Sequence, residues 1–421
     1  MNQEGVLENQ TVIIKKGKIY KIGPAKKVKV PRKAIKIDGE GKYLMPGLAE
    51  MHAHIPVPQD GDDELVQETL FLYLSNGVTT IRGMLGDPYH LSLKKKIAAG
   101  NILSPRVYTS SPSMNGNTVS SKLEAIEKVT QYQQDGYDFL KIHPGIKKDV
   151  FDELVATANK VGIPFSGHVP ADVGVHHALE SRYASIDHLD GYIDGLVPKE
   201  HEIDRTKGGF FGYNFTSLTD EAEIAALAKK TKSYGVWIVP TQSLFTRWFS
   251  PQDGAAIAAE PEMKYMSPKT LFAWRQSHQS LINNESYSAE TYQVFLQRRQ
   301  ALLRGLHKAG VNLLLGSDAP QVFNVPGFSL QHEMKAMSEA GLSNFTILHS
   351  GTVNPARFFK SEGSYGTIVK GASADLILLS ANPLEDIENM QEQLGVMVRG
   401  EWLSKAMIDE KLAAIAKKYS E

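Results

Sequence analysis

Apolar and polar positions follow two different rhythms along this chain. Residues 11–23 hold two β-branched runs split by Lys16-Gly17, the signature of a hairpin. Val28 to Ile37 reads as a further strand. The same texture returns at Ala374–Leu379 and Val396–Trp402, and Met407–Tyr419 has helical spacing. Both chain ends, 1–46 and 367–421, are therefore expected to build one small β-sandwich carrying a C-terminal helix. Between them, over 47–366, short apolar runs alternate with amphipathic stretches. The predicted strands are Lys42–Gly47, Val78–Gly83, Arg106–Ser110, Phe139–Ile142, Pro164–His168, Ser185–His188, Val236–Thr241 and Val311–Gly316. The intervening helices are expected at Glu64–Ser75, Leu91–Ala99, Lys122–Gln134, Asp149–Val161, Val173–Glu180, Asp220–Tyr234 and Ala289–Ala309.

Strand–helix alternation implies a parallel sheet. Eight such units fit an α/β fold of the (β/α)8 TIM-barrel type better than a doubly wound sheet. The polar residues fit to do chemistry gather at the C-terminal ends of the predicted strands, where a barrel places its active site. The seventh and eighth strands are separated by a long excursion, 242–288, that holds Phe245, Trp248, Phe249, Tyr265, Phe272 and Trp274. Barrel loops point toward the active-site face, so a lid over an apolar pocket is expected there in preference to an oligomer contact.

Composition removes several classes of function. The 421 residues carry 46 Lys+Arg against 47 Asp+Glu, a formal charge of −1, which gives no general attraction to nucleic acid or anionic membrane. The basic stretches 15–33 and Lys94–Lys96 lack the interleaved aromatics of a base-stacking surface. No run of about 18 apolar residues is present to span a membrane. The absence of cysteine excludes disulfides, zinc–thiolate sites and a Cys nucleophile, whereas 13 His leave a metal route open. The N-terminus shows no signal pattern. Were it a trimmed end, a periplasmic or secreted location would be favoured over a cytoplasmic one.

The metal route has a specific geometry. The first strand runs into Met51-His52-Ala53-His54, and alternation puts both imidazoles on one face, an N,N pair for zinc or a similar ion. Phe165–His168 ends the fifth strand, Ser185–His188 the sixth, and Leu315–Asp318 the eighth. His168, His188 and Asp318 each bring one ligand to the same rim. Any one of these residues alone is as readily a structural polar group; together, at converging strand ends, they point to a metal centre. Lys141 on the fourth strand is the unusual member. A cationic ammonium beside metals would be repelled, but a neutral amine reacts with carbon dioxide to give an anionic carbamate, and burial with nearby cations lowers a lysine's pKa. Such a carbamate bridges two ions about 3.5–4 Å apart, the spacing of two-metal hydrolases. His143 shares the face of Lys141 and is a competing ligand or a substrate contact.

The strings LMPGLAEMHAH, GVTTIRGM, FLKIH, SGHVP, IDHLDGY and GSDAP closely resemble the amidohydrolase superfamily. The strand-four lysine is similar to that of its binuclear, carboxylated-lysine members. The finer texture looks like the branch of Xaa-Pro dipeptidases, metal-dependent carboxypeptidases and ochratoxin-hydrolysing amidases. The resemblance covers nearly the whole chain, including the split sandwich. It implies two divalent ions, zinc by ligand type though Mn, Co or Fe could use the same N/O set, with His52, His54 and Asp318 on one, His168 and His188 on the other, and carbon dioxide bound as a carbamate on Lys141 between them. It further implies attack of a metal-bridging hydroxide on an amide C–N bond, with Asp318 as the proton shuttle.

A small-molecule substrate with an apolar group is expected, in a dipeptide or N-acyl amino acid. Arg82, His143, Tyr192, Thr241 and Arg247 are its candidate contacts, and a homo-oligomer is expected. Lactone, carbamate, cyclic-amide or phosphotriester hydrolysis on the same centre is the nearest alternative. A mononuclear deaminase or imidazolone-type enzyme, with Lys141 no ligand, is the next. The intact ligand set argues against a metal-free scaffold.

Overall fold

The structure, a computed structural model, describes residues 3–420. Seven strands lie parallel in chain order: Leu48–Ala53, Val78–Gly83, Arg106–Met114, Phe139–Ile142, Phe165–Gly167, Ser185–Asp187 and Trp237–Val239. The eighth position is filled by an extended segment that makes only isolated bridges. On one side Ile238 N bonds to Asn312 O (3.1 Å) and Leu314 N to Ile238 O (2.8 Å). On the other, Met51 N bonds to Leu315 O (2.9 Å), Asp318 N to His52 O (3.0 Å) and His54 N to Ala319 O (2.8 Å). These bonds close the barrel. Gly316 is needed at the seam, because a Cβ there would stand 2.9 Å from His52 N and 2.6 Å from the Val239 side chain.

The helices sit outside the strands and turn apolar stripes inward. In Lys148–Val161, for example, Val150, Phe151, Leu154, Thr157 and Ala158 are buried, the i, i+1, i+4, i+7, i+8 spacing of one helical face.

The ends of the chain form antiparallel sheets, as expected. The hairpin Gln10–Lys15/Lys18–Pro24 turns through Lys16 (φ 52°) and Gly17 (φ 73°), both left-handed as a two-residue hairpin loop requires. A four-stranded sheet has the order Glu401–Ser404, Gln393–Val398, Leu376–Leu379, Tyr43–Pro46. This corrects two expectations. Tyr43–Pro46 belongs to the sandwich and pairs with Leu376–Leu379, so the first barrel strand begins one residue beyond Gly47. Val28–Ile37 forms no strand; Pro31 interrupts it, and Ile35, 95% exposed, has nothing to pack against.

The C-terminal helix Lys405–Ser420 buries Ile408 and Ile415, and its Lys418 reaches Glu64 and Glu68 on the first barrel helix. No helix among the described residues is long and apolar enough to cross a membrane.

The excursion 242–288 is mostly helical, with helices at Gln242–Trp248 and Pro268–Ile282. Most of its aromatics pack against the body of the protein. Phe245 and Phe249 pack on Phe295, while Tyr265 and Trp274 join Phe323 and Ile415 in a second core. Phe272 alone of the six is exposed.

Candidate metal centre

Each putting-in-place is done by the backbone. Lys141 sits opposite Ser166 in the ladder, His168 N bonds to Ile142 O (3.0 Å), and His188 N to Val239 O (2.8 Å). These registers, with the seam bonds at His52, His54 and Asp318, bring all six predicted ligands to one rim. Asp318 Oδ1 lies 2.7 Å from His54 Nε2 and 3.4 Å from His52 Nε2, and Oδ2 is 3.8 Å from His188 Nδ1. The rings of His52 and His188 are 4.4 Å apart, those of His168 and His188 4.7 Å. Three residues turn out of their strands with left-handed backbones: His188 (φ 64°), Thr241 (φ 45°) and Asp318 (φ 66°). Such conformations cost about 1–3 kcal/mol each and gather where a site overrides local preference.

Electrostatics set these groups apart. Lys141 is completely buried, and its Nζ makes no hydrogen bond. Burial pulls its pKa down to about 8, although Asp187 and Asp318 oppose the shift. Burial also holds His52 and His188 neutral, well below the usual imidazole range. Burial resists ionisation of Asp318, but His52, His54 and Lys141 outweigh it and keep the carboxyl below its ordinary range. His52 Nδ1 stands 3.0 Å from Asp187 Oδ2 but out of hydrogen-bond alignment. A dry, orphaned amine among imidazoles and a carboxylate is costly as it stands. As an N/O donor set it fits divalent metal, and His52, His54 and Asp318 offer ligand atoms within 4.8 Å of one another.

The predicted substrate contacts divide. His143 is half-buried at the mouth, its ring 5.0 Å from that of His168. The other four are placed elsewhere. Arg82 is fully buried; it donates to both Asp187 oxygens (3.0 and 3.1 Å), to Ser185 Oγ and to Met51 O, so it ties strands together beneath the site. Tyr192 points into the core, where its hydroxyl meets Thr231. Thr241 is buried under the centre, with its Oγ1 2.9 Å from His188 Nδ1. Arg247 binds Phe323 O, Glu260 and Glu262 inside the excursion.

Several residues at the centre escaped the sequence reading. Asp190 Oδ2 pairs with His168 Nδ1 at 2.9 Å, and Asp187 takes up Arg82; the string Asp187-His188-Leu189-Asp190 was the available signal. Glu50, buried, accepts from His52 N, Ser317 N and Ser317 Oγ, and burial raises its pKa to about 8. Arg299 donates to His188 O and Pro240 O and so holds two strand ends. Phe211 packs 5.9 Å from the His168 ring and 5.4 Å from the His188 ring. It comes from the aromatic run Phe210-Phe211-Gly212-Tyr213, not from the 242–288 excursion.

The amidohydrolase family matches residues 43–403. The chain belongs to that family. It is accordingly a hydrolase acting on carbon–nitrogen bonds, and the family generally uses divalent metals. Among curated proteins it is similar to an imidazolonepropionase of Idiomarina loihiensis, 23% identical over 419 residues, covering 93% of this chain and 90% of the relative. Among solved structures it is similar to bottromycin amidohydrolase (TM-score 0.70, 22% identity, 96% of this chain and 85% of that one). A Xaa-Pro dipeptidase solved with bound methionine also shares the fold (TM-score 0.63, 19% identity, 94% and 95%).

Proposed function

We propose that this amidohydrolase cleaves an amide bond in a dipeptide or an N-acyl amino acid at a two-metal centre, with zinc as the resident ion. One observation carries the reading: the Lys141 amine is buried without a partner at the middle of the imidazole cluster. With its pKa brought down to about 8, about a tenth of it is neutral at pH 7, far more than for an ordinary lysine. That amine adds to carbon dioxide, losing one proton, and becomes an anionic two-oxygen ligand. His52, His54 and Asp318 would hold one ion, and His168 and His188 the other. When bound, the metals would supply Lewis acidity and a water of lowered pKa.

The chain's own groups do the rest. Asp190 orients His168, and Thr241 orients His188, through the ring nitrogen that each touches. Asp318 Oδ2, the oxygen not taken by His54, carries a proton from the attacking water to the leaving nitrogen. Phe211 walls the His168–His188 side and excludes water there, which favours an apolar group on the substrate. The dipeptidase among the structural neighbours supports the same substrate class.

A second reading has an observation of its own. The imidazolonepropionase relative covers 93% of the chain and favours a mononuclear centre on a cyclic amide, in which Lys141 stays unmodified. Elemental analysis of chelator-free protein, with the mass of the Lys141 peptide under non-acidic conditions, separates the two. Two ions per chain and a gain of one carbon dioxide are expected, along with turnover of N-acyl amino acids or dipeptides. One ion and an unmodified lysine would overturn the two-metal reading. Turnover of lactones or imidazolones with no cleavage of any dipeptide or N-acyl amino acid would overturn the substrate class.

A further inference from the structure

We propose that residues 10–37 form a docking face for an anionic lipid bilayer, with their lysines drawn to the headgroups and Ile35 inserted between them.

The near-zero net charge of the chain hides an uneven distribution. Residues 10–37 hold nine Lys and one Arg and no Asp or Glu, so the remainder of the chain is acidic on balance. All ten cations are exposed, and none of them joins an ion pair among the described residues. The fold keeps this charge on the outer side of the sandwich. In the hairpin Ile14 stands opposite Ile19 and Val12 opposite Ile22, and these four pack with Leu376 and Met397 of the four-stranded sheet. Alternation turns Lys15, Lys18 and Lys21 the other way. Val28 fastens the stretch that follows. It is buried, its N–H donates to Pro24 O (3.1 Å), and its side chain covers Gly23. Beyond it, cations and aliphatic side chains are interleaved in Lys29-Val30-Pro31-Arg32-Lys33-Ala34-Ile35-Lys36-Ile37. A turn from Pro31 O to Ala34 N (3.1 Å) leads directly into the almost fully exposed Ile35.

A solvated basic face accounts for the lysines but not for these aliphatics. Seventeen large apolar side chains stand exposed among the described residues, and six of them fall within the first 37 positions. Scattered singly they would be ordinary; crowded and interleaved with cations they mark an interaction surface. The chemistry narrows the partner. A single-stranded nucleic acid would be met by stacking rings, whereas the one exposed ring here, Tyr20, already lies 5.5 Å under the Lys15 ammonium. A second copy of the same face would set like charges against each other. A bilayer rich in anionic lipid accepts both features, since lysines are held at headgroup level without fixed partners and an aliphatic side chain enters the acyl boundary. The sheet beneath the hairpin meets the barrel at Gly47, whose N bonds to Asp375 O (2.8 Å) ahead of the first barrel strand. That is the end opposite the rim of His52, Lys141 and Asp318, so a docked bilayer leaves the mouth open.

The test is flotation of the full chain with vesicles of phosphatidylcholine, either alone or with about 30% phosphatidylserine to set a negative surface potential. At about 0.1 M salt the chain is expected to float with the anionic vesicles only, and to be released at about 0.5 M, where screening is stronger. Lys29→Glu/Lys33→Glu/Lys36→Glu is expected to lower the lipid partition by at least about 100-fold. Ile35→Ser, which leaves the charge unchanged, is expected to lower it by about 10-fold. Lys95→Glu/Lys229→Glu/Lys269→Glu makes the same change of net charge at exposed positions elsewhere and should bind like the parent. Melting curves check that each variant folds, and the lipid and salt comparisons need no variant. Equal binding to both vesicles, or binding to neither, would overturn the proposal. So would a control triple that loses binding as fully as the first. An Ile35→Ser chain that binds unchanged would overturn the inserted pose. Tighter retention on duplex DNA or polyglutamate than on anionic vesicles at the same salt would overturn the bilayer as partner.

Discussion

At the scale of single residues, the proposed two-metal reading gives Lys141 and Asp318 different parts, each open to test. Lys141→Ala is expected to lose metal and activity together, with partial recovery in millimolar short carboxylic acids that replace the carbamate oxygens; unchanged metal content would show that Lys141 is no ligand. Asp318→Asn keeps an oxygen at the rim but cannot take up a proton. It should retain most metal and lose kcat by about 10²–10⁴-fold, the range of acid–base catalysis; near-normal kcat would remove Asp318 as the shuttle. A third residue gives a pH signature away from the ligands. Asp194 Oδ1 is buried without a partner, and burial, helped by the charge of Asp190, raises its pKa from 3.8 to about 7. A raised carboxyl pKa means that the folded state binds more protons than the unfolded chain between about pH 4 and 7. Its contribution to stability is therefore complete below that window and lost as pH rises through it. Asp194→Asn should flatten the fall in Tm across that window; an unaltered slope would place the cause elsewhere. The convergence of the six predicted ligand side chains on one rim was legible because strand ends and a two-residue period locate side chains from sequence alone. Asp190, Glu50 and Phe211 were not, since what they touch is set by packing between segments far apart in the chain.

At the scale of elements, the strands are joined by more than their ladders. Arg82 on the second barrel strand reaches across to Ser185 and Asp187 on the sixth and to the carbonyl of Met51 on the first, all out of contact with water. Its guanidinium also lies 5.4 Å over the ring of Phe139 on the fourth. Removing one member of a buried ion pair strands the other charge. Arg82→Met should cost about 3–5 kcal/mol in denaturant unfolding, and Asp187→Leu in the same chain should return much of that loss. A cost below about 1 kcal/mol, the range of exposed pairs, would deny the tie its role. From sequence this arginine was one of several candidate substrate contacts, because nothing local says whether a polar side chain at a strand end points outward to substrate or inward across the barrel. The strands themselves were legible for a complementary reason: apolar runs of four to six residues flanked by turn residues have few other uses. The exception, Tyr43–Pro46, has the same composition as a barrel strand and differs only in its partner, Leu376–Leu379, which lies more than 300 residues away.

At the scale of the whole molecule, the barrel resembles a hoop whose last stave is only lightly pegged. Seven staves are laddered edge to edge, whereas 311–319 touches its neighbours through single bonds at Ile238, Met51, His52 and His54. The clasp of that hoop is Asp318, set against His52 and His54 of the first stave. An ion held by those three side chains would therefore fasten the hoop as well as serve the reaction. Local opening of a protein follows its weakest backbone bonds. In the metal-free protein the amides of Met51, Leu314 and Asp318 should exchange with deuterium sooner than that of Leu140 inside the ladder, and loading the centre with zinc should slow them selectively. Equal exchange with and without the ion would mean that the hoop holds without its clasp. If they do slow, loss of the ion would unfasten the mouth along this one line, and chelation would loosen the fold at the place where the chemistry is done.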